Sequence, residues 1–279
     1  MSTKDYAKRV ERRISRIAER TETLPLSVRS LVLFVGWQRS GNSFVGQALN
    51  AHRDALIANE GQVFGLFAER PDRDWVYRHL CDLDEKRAAS GYDKKARGTG
   101  PEQILTIEGA WQGKTPDPIA IGFSKAGATA RTFAEDPELF GSFLAEMRLD
   151  PKFLFQTRHP REMVASMMRR RLIPVEQAVD ELWESTEQVS AAHSYLAQSY
   201  NTLLYRYEDF VDDVDVTLNS LFSFLGLRSD PALNAAVKKA CFSKPERPSE
   251  GTPEIRAFDD RIEELIANFA VFEGYRSSD

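Results

Sequence analysis

The stretch from Leu31 to Glu60, LVLFVGWQRSGNSFVGQALNAHRDALIANE, restricts the fold more than any other part of the chain. Leu31 to Val35 are apolar without interruption. That run suits a strand buried on both faces and is too short for a helix. A loop from Gly36 to Ser43 follows, with a second glycine at Gly41. Phe44, Val45, Ala48 and Leu49 then recur at helical spacing, and Ala55 to Ala58 make a second apolar run that ends at Glu60. Strand, loop, helix and strand form a βαβ unit. Its first turn is a cradle for an anion, because a helix N-terminus presents backbone N–H groups and the positive end of its dipole.

Further short apolar runs alternate with helical patterns down the chain. Ile104–Ile107 is a candidate short strand, and Ile119–Phe123, Lys152–Thr157 and Leu203–Tyr207 are clearer ones. Helical patterns follow Glu60 (to about Leu83), Lys125, Pro160, Pro174 and Asp212, and a last amphipathic helix spans Ile255–Phe272. Asp84–Gln103 and Ser243–Pro253 are polar and read as loops, the first as an exposed loop or lid. The pattern predicts an α/β fold: a P-loop-like parallel β-sheet flanked by helices on both faces. Residues 1–30 form an N-terminal basic amphipathic helix and linker, and residues 31–279 the α/β domain. In the helix, over residues 3–20, Ala7, Val10, Ile14 and Ile17 share one face among seven Lys and Arg. It reads either as a surface helix docked on the domain or as a contact with an anionic membrane, a partner or a second copy.

In parallel sheets ligands bind beyond the carboxyl ends of the strands. The residues there are Arg39 with its loop, Glu60, Lys125, Arg158 and Glu208. The chain has a net charge of -5, so a general nucleic-acid binder is not expected and positive charge for an anion must be local. Its 2 cysteines, Cys81 and Cys241, make neither a disulfide framework nor a zinc cluster. With no signal peptide and no apolar run near about 18 residues, a cytoplasmic location is expected.

Gly36–Ser43 fits G-x-x-x-x-G-x-S, but a Walker loop carries Lys where this chain has Asn42. The cation comes earlier, at Arg39. The strand Lys152–Thr157 leads into Arg158 and not into a magnesium-binding Asp. The cradle therefore suits one phosphate near the helix, with no metal required.

These residues resemble the PAPS-dependent sulfotransferases, nearest to bacterial and carbohydrate-type members. Gln38-Arg39-Ser40-Gly41-Asn42-Ser43 is similar to that family's 5′-phosphosulfate loop, in the R-S-G-S-S form of carbohydrate 6-O-sulfotransferases, with a like continuation through Leu49–His52 to Glu60. Arg158-His159-Pro160-Arg161 with Ser166 resembles its 3′-phosphate motif. Tyr207-Glu208-Asp209-Phe210 with Phe224-Leu225-Gly226-Leu227 resembles its Y-E-D-L…F-L-G-L pattern. The chain departs from the family in having Arg39 where Lys is usual. It also has no visible R-K-G-type loop, for which Arg247 is the candidate stand-in.

The resemblance implies transfer of a sulfuryl group from PAPS to a hydroxyl or amine acceptor, a carbohydrate or small metabolite, with release of PAP. It implies Glu60 as base and Arg39 and Lys125 as charge-neutralising groups. Gln38, Arg39, Ser40, Gly41, Asn42, Ser43, Arg158, Ser166 and Arg247 are the donor contacts it implies. His52 reads as a helix-end hydrogen-bonder, and Trp111 either as a stacking surface or as core. The rival readings are a P-loop nucleotide or small-molecule kinase, opposed by Asn42 and Arg158, and a non-catalytic PAP-binding protein, opposed by the presence of both Arg39 and Glu60.

Overall fold

In the computed structural model the LVLFV run becomes β1 (Ser30–Gly36), buried at every position. The structure describes residues 12–59, 61–93, 105–114, 117–240 and 252–276. Glu60 and Arg247 lie outside the described residues, as do the first 11 residues and Cys241.

A helix over residues 12–18, α1, precedes β1. After it come α2 (Asn42–Asn50), β2 (Ala55–Ala58), α3 (Val63–Glu69), α4 (Arg73–Ser90) and β3 (Ala120–Phe123). The middle of the chain gives α5 (Ala126–Glu135), α6 (Pro137–Met147), β4 (Asp150–Thr157), α7 (Pro160–Arg171), α8 (Val175–Ser199) and β5 (Asn201–Arg206). Last are α9 (Tyr207–Asp212), α10 (Val214–Leu225), α11 (Pro231–Ala240), α12 (Pro253–Arg256), α13 (Asp259–Asn268) and a 3₁₀ helix (Ala270–Tyr275).

Among the described residues one sheet forms, in the order β2-β3-β1-β4-β5, with every pair parallel. Leu31, Leu33 and Val35 enter a core with residues of α3 to α8 and α13. Val32 and Phe34 enter a second core with α2, α9, α10 and α11. Both faces are covered, which is why β1 carries no polar alternation. Where β3 meets β1 the approach is tight: a Cβ on Gly122 would lie 1.9 Å from the Val32 carbonyl oxygen.

The topology also positions the site. After β1 the chain leaves for β2, away from β4, and α2 packs on one face. After β4 it leaves for β5, away from β1, and α7 packs on the other face. The two connections diverge and open a crevice at the carboxyl ends of β1 and β4, the switch point of a parallel sheet.

Several local expectations change. The helix expected from Glu60 to Leu83 is two helices, broken at Arg70-Pro71-Asp72. Pro71 has no N–H to give, and Asp72 caps α4 by accepting from Trp75 N at 2.6 Å. The exposed loop expected from Asp84 starts later, because α4 runs on to Ser90. Asp84 is buried and accepts from Asn50 Nδ2 at 2.7 Å, Tyr92 Oη at 2.7 Å and Gly113 N at 2.8 Å. Burial nonetheless pushes its pKa up.

The expected strand at Ile104–Ile107 is not a strand where it is described. Asp93 accepts from Leu105 N and Thr106 N, and Gln112 Oε1 from Ile107 N, so side chains satisfy this backbone in place of a neighbouring strand. β5 stops at Arg206, and Tyr207 opens α9. The single C-terminal helix is divided into α12, α13 and the 3₁₀ helix.

The described part of the basic N-terminal segment lies on α3 and α4. Ile17 is fully buried with Leu66 and Trp75. Arg16 pairs with Asp82 at 3.4 Å, and Arg20 pairs with Glu85 at 2.7 Å and Glu22 at 2.6 Å. No helix among the described residues is long and apolar enough to cross a membrane.

His79, on the inner face of α4, has no solvent exposure, and among the described residues neither ring nitrogen has a hydrogen-bond partner. Burial pushes its pKa down to about 3, with Arg13 adding to the effect. The unfolded chain therefore binds a proton that the folded chain refuses between about pH 6.5 and 3, and stability falls as pH drops through that window, by up to about 1.4 kcal/mol per unit. His79→Phe should lose less stability than wild type between pH 7 and 5.5 in urea titrations. Parallel losses in the two proteins would refute this assignment.

Candidate functional site

The loop after β1 is built by its own side chains. Ser40 Oγ donates to the Trp37 carbonyl at 3.1 Å. Asn42 Nδ2 donates to the same carbonyl at 3.1 Å and to Ser40 Oγ at 2.8 Å. From β4, Gln156 Nε2 donates to the Ser40 carbonyl at 2.6 Å, while its Oε1 accepts from Tyr205 Oη at 2.9 Å. Trp37 is buried beneath the loop and donates to Thr186 Oγ1 of α8 at 2.9 Å. Ser40 and the Asn42 amide nitrogen thus shape the loop.

Two left-handed residues turn the chain into α2. Gly41 has φ 101 and Arg39 has φ 70. A Cβ on Gly41 would sit 2.4 Å from the Tyr207 ring and 2.7 Å from Gln156 Nε2, so only glycine fits. For Arg39 the left-handed conformation costs about 1–2 kcal/mol. It is held there by Arg158 Nη1, which donates to the Arg39 carbonyl at 3.3 Å, and by its own Nε, which donates to Ser166 Oγ at 2.9 Å. No side chain caps α2, so its first turn keeps the anion-binding character of a helix N-terminus.

The second wall is the end of β4. Arg158 pairs with Glu162 at 3.3 Å and lies 5.1 Å over the Tyr207 ring. His159 caps α7 by accepting from Arg161 N at 3.3 Å. Burial pushes its pKa down against the opposing pull of Glu208, keeping the imidazole a neutral acceptor. Glu208 joins three segments: it accepts from His159 N at 2.9 Å and from Tyr275 Oη at 2.6 Å. Burial, reinforced by Glu208, holds the Tyr275 phenol well above its usual range.

Between these walls lies a cleft of about 340 Å³, within the range of small-molecule sites. Arg39, Lys125, Arg131 and Arg158 line it, with Gln38, Ser43 and Tyr207, and among the described residues no carboxylate does. A chain of net charge -5 has thus gathered four cations around one opening. Lys125 is exposed and precedes α5, whose first residues Ala126, Gly127 and Ala128 also line the cleft.

Arg39 and Ser166 touch, and Arg158 reaches the same loop. Ser40 stays out of the cleft lining. Glu60 and Arg247 fall outside the described residues. Asn59, which follows β2, accepts at 3.4 Å from the hydroxyl of Ser124, the residue before Lys125.

Trp111 stands away from the cleft. Its backbone N–H donates to the Ala51 carbonyl at the far end of α2, and Arg53 lies 5.7 Å over its ring. His52, at that same end, accepts from Asp54 N at 3.1 Å and bonds the Arg228 carbonyl at 3.0 Å. Asn50, part of the resembling continuation, ties α2 to β2 through Ile57 N at 2.7 Å and to Asp84. Sequence reasoning missed Gln156, Tyr207 as a wall, Tyr275 and Arg131. Of these Gln156 carried a signal, as a polar residue inside an apolar strand, and Tyr207 stood in a motif that did not show it as a wall.

The model of the sulfotransferase family matches residues 32–231. No curated protein sequence matches the chain. Among solved structures, the sulfotransferase domain from the curacin biosynthetic pathway is similar at 16% identity, with 88% of this chain and 99% of that one covered and a TM-score of 0.46. The sulfotransferase domain of the Synechococcus PCC 7002 olefin synthase gives 14% identity, coverage of 93% and 100%, and a TM-score of 0.47. Mouse sulfotransferase SULT7A1, complexed with PAP, gives 12% identity, coverage of 88% and 87%, and a TM-score of 0.48. The family match runs from β1 into the start of α11, takes in both walls of the cleft and spans well over half of the chain, and on that match the protein belongs to the sulfotransferase family.

Proposed function

We propose that this sulfotransferase uses PAPS as donor and transfers its sulfuryl group to a hydroxyl or amine of a small molecule or carbohydrate, releasing PAP. One observation carries the reading: Arg39, Lys125 and Arg158 converge with the N-terminus of α2 on a cleft whose described lining holds no carboxylate. A donor with two separated phosphates fits such a lining. Arg158 and Ser166 would hold the 3′-phosphate, and Gln38 to Ser43, with α2, the 5′-phosphate. A cytoplasmic location and the absence of nucleic-acid partners accompany this reading.

PAPS, when bound, supplies an activated sulfuryl group. The chain's part is to hold, to neutralise and to take a proton. Arg39 and Lys125 stabilise the charge that grows on the bridging oxygen as its bond to sulfur breaks and the electron pair leaves with PAP. Glu60, one residue beyond Asn59, takes the proton of the acceptor as the acceptor atom bonds to sulfur. The fixed loop contributes orientation, because a donor bound by it would be positioned before reaction.

The kinase reading is tested first. At 100 times its dissociation constant a ligand adds about 2.7 kcal/mol, which moves the melting midpoint of a domain this size by several degrees. PAP should give that shift and Mg-ATP should not; the reverse result would sink the reading. Arg158→Ala should weaken PAP at least tenfold in calorimetric titration, and unchanged affinity would remove Arg158 from the donor site. Glu60→Gln should bind PAP as wild type does yet lose at least a hundredfold in transfer of labelled sulfate from PAPS to acceptors in cell extract. Full transfer by that variant would refute the base assignment.

A further inference from the structure

The cleft holds one cation more than the proposed donor uses. Arg158 serves the 3′-phosphate, Arg39 the 5′-phosphate and Lys125 the bridging oxygen. Arg131 remains. It lies on α5 beyond Lys125, about 9 Å further along the helix axis.

Two further observations bear on its role. Arg131 also borders a recess of about 50 Å³ between α5 and α8, where Gln38, Ser185 and Gln188 supply polar groups. The recess adjoins the cleft, sharing Gln38, Gly127 and Arg131 with it. Glu181 faces the recess as well, but its carboxylate is engaged on both oxygens by Arg171, which pushes its pKa down. Arg131 itself has an ion pair with Glu135 at 4.0 Å, with both side chains well exposed at 63% and 64%. A pair so long and so wet contributes little and yields readily to a better partner.

We infer that Arg131 is a specificity-determining residue for an acceptor that carries its own anionic substituent: a carboxylate, sulfate or phosphate placed at the α5–α8 side of the cleft. Gln38, Ser185 and Gln188 bound the polar space beside that substituent. This inference rests on the donor reading above, because it assigns Arg131 by what the donor leaves over.

The test separates the two. Wild type, Arg131→Gln and Arg131→Lys are each saturated with PAP and titrated with two matched pairs of probes, 4-hydroxybenzoate with phenol and glucuronate with glucose. In wild type the anionic member of at least one pair should bind about fivefold or more tightly than its neutral partner. Arg131→Gln should abolish that preference, Arg131→Lys should keep part of it, and the affinity for PAP should stay within twofold in both variants. Equal binding within both pairs in wild type would overturn the inference, as would a preference that survives in Arg131→Gln. A tenfold loss of PAP affinity in Arg131→Gln would move the residue into the donor site and overturn it too. Failure of wild type to bind PAP would strike the donor reading itself, and this inference with it.

Discussion

The hydrogen bond from Gln156 Nε2 to the Ser40 carbonyl is the contact on which the site depends. β1 and β4 are neighbours in the sheet, but their connections leave in opposite directions and onto opposite faces. Nothing in the sheet ladder itself would hold the loop after β1 against the end of β4 once the strands finish. Gln156 does so from inside β4, and Tyr205 of β5 fixes its amide from the far side. Three adjacent strands thereby set the position of one loop carbonyl. Gly41 then lies against Tyr207 with no room for a Cβ, and Arg39 is turned toward Ser166. A buried polar network of this kind is favourable only when its members are satisfied. Here it is the price of bringing the loop after β1 and the turn after β4 within one hydrogen bond of each other.

The sequence discloses this architecture unevenly, for physical reasons. The βαβ unit at Leu31–Ala58 is legible because uninterrupted apolar runs and helical spacing are local signals. Arg39, Lys125 and Arg158 are legible because each closely follows a strand, and strand ends in a parallel sheet point to one side. Less legible was anything set by contact between distant segments. The break at Pro71 was written in the chain, yet the apolar positions on both sides of it suggested one continuous helix. Leu105–Ile107 has the composition of a strand, but Asp93 and Gln112 claim its N–H groups first. Asn42 lines the cleft as its place in the motif suggests, but that its amide nitrogen also bonds back into the loop is visible only in the fold. Tyr275 has no motif at all; only the folded chain brings it to Glu208.

Charge is distributed with equal economy. The chain is acidic overall, and many of its arginines are paired at the surface, as Arg20, Arg161 and Arg171 are. The cations of the cleft stand apart from these pairs in having a common opening without a lining carboxylate among the described residues. Arg158 is the intermediate case, steadied by Glu162 and by the Tyr207 ring. Such preorganisation keeps a guanidinium aimed at the opening before any anion arrives.

The carboxylate of Glu208 has a consequence for how the protein is made. It binds the turn after β4 on one oxygen and, 67 residues further on, Tyr275 on the other. During synthesis the sheet and the loop after β1 can assemble while the 3₁₀ helix is still inside the ribosome. The turn that carries Arg158 would then have its carboxylate but not its closing phenol. A nascent chain at that stage would have its sheet in place while the β4 wall of the cleft still lacked the Tyr275 contact.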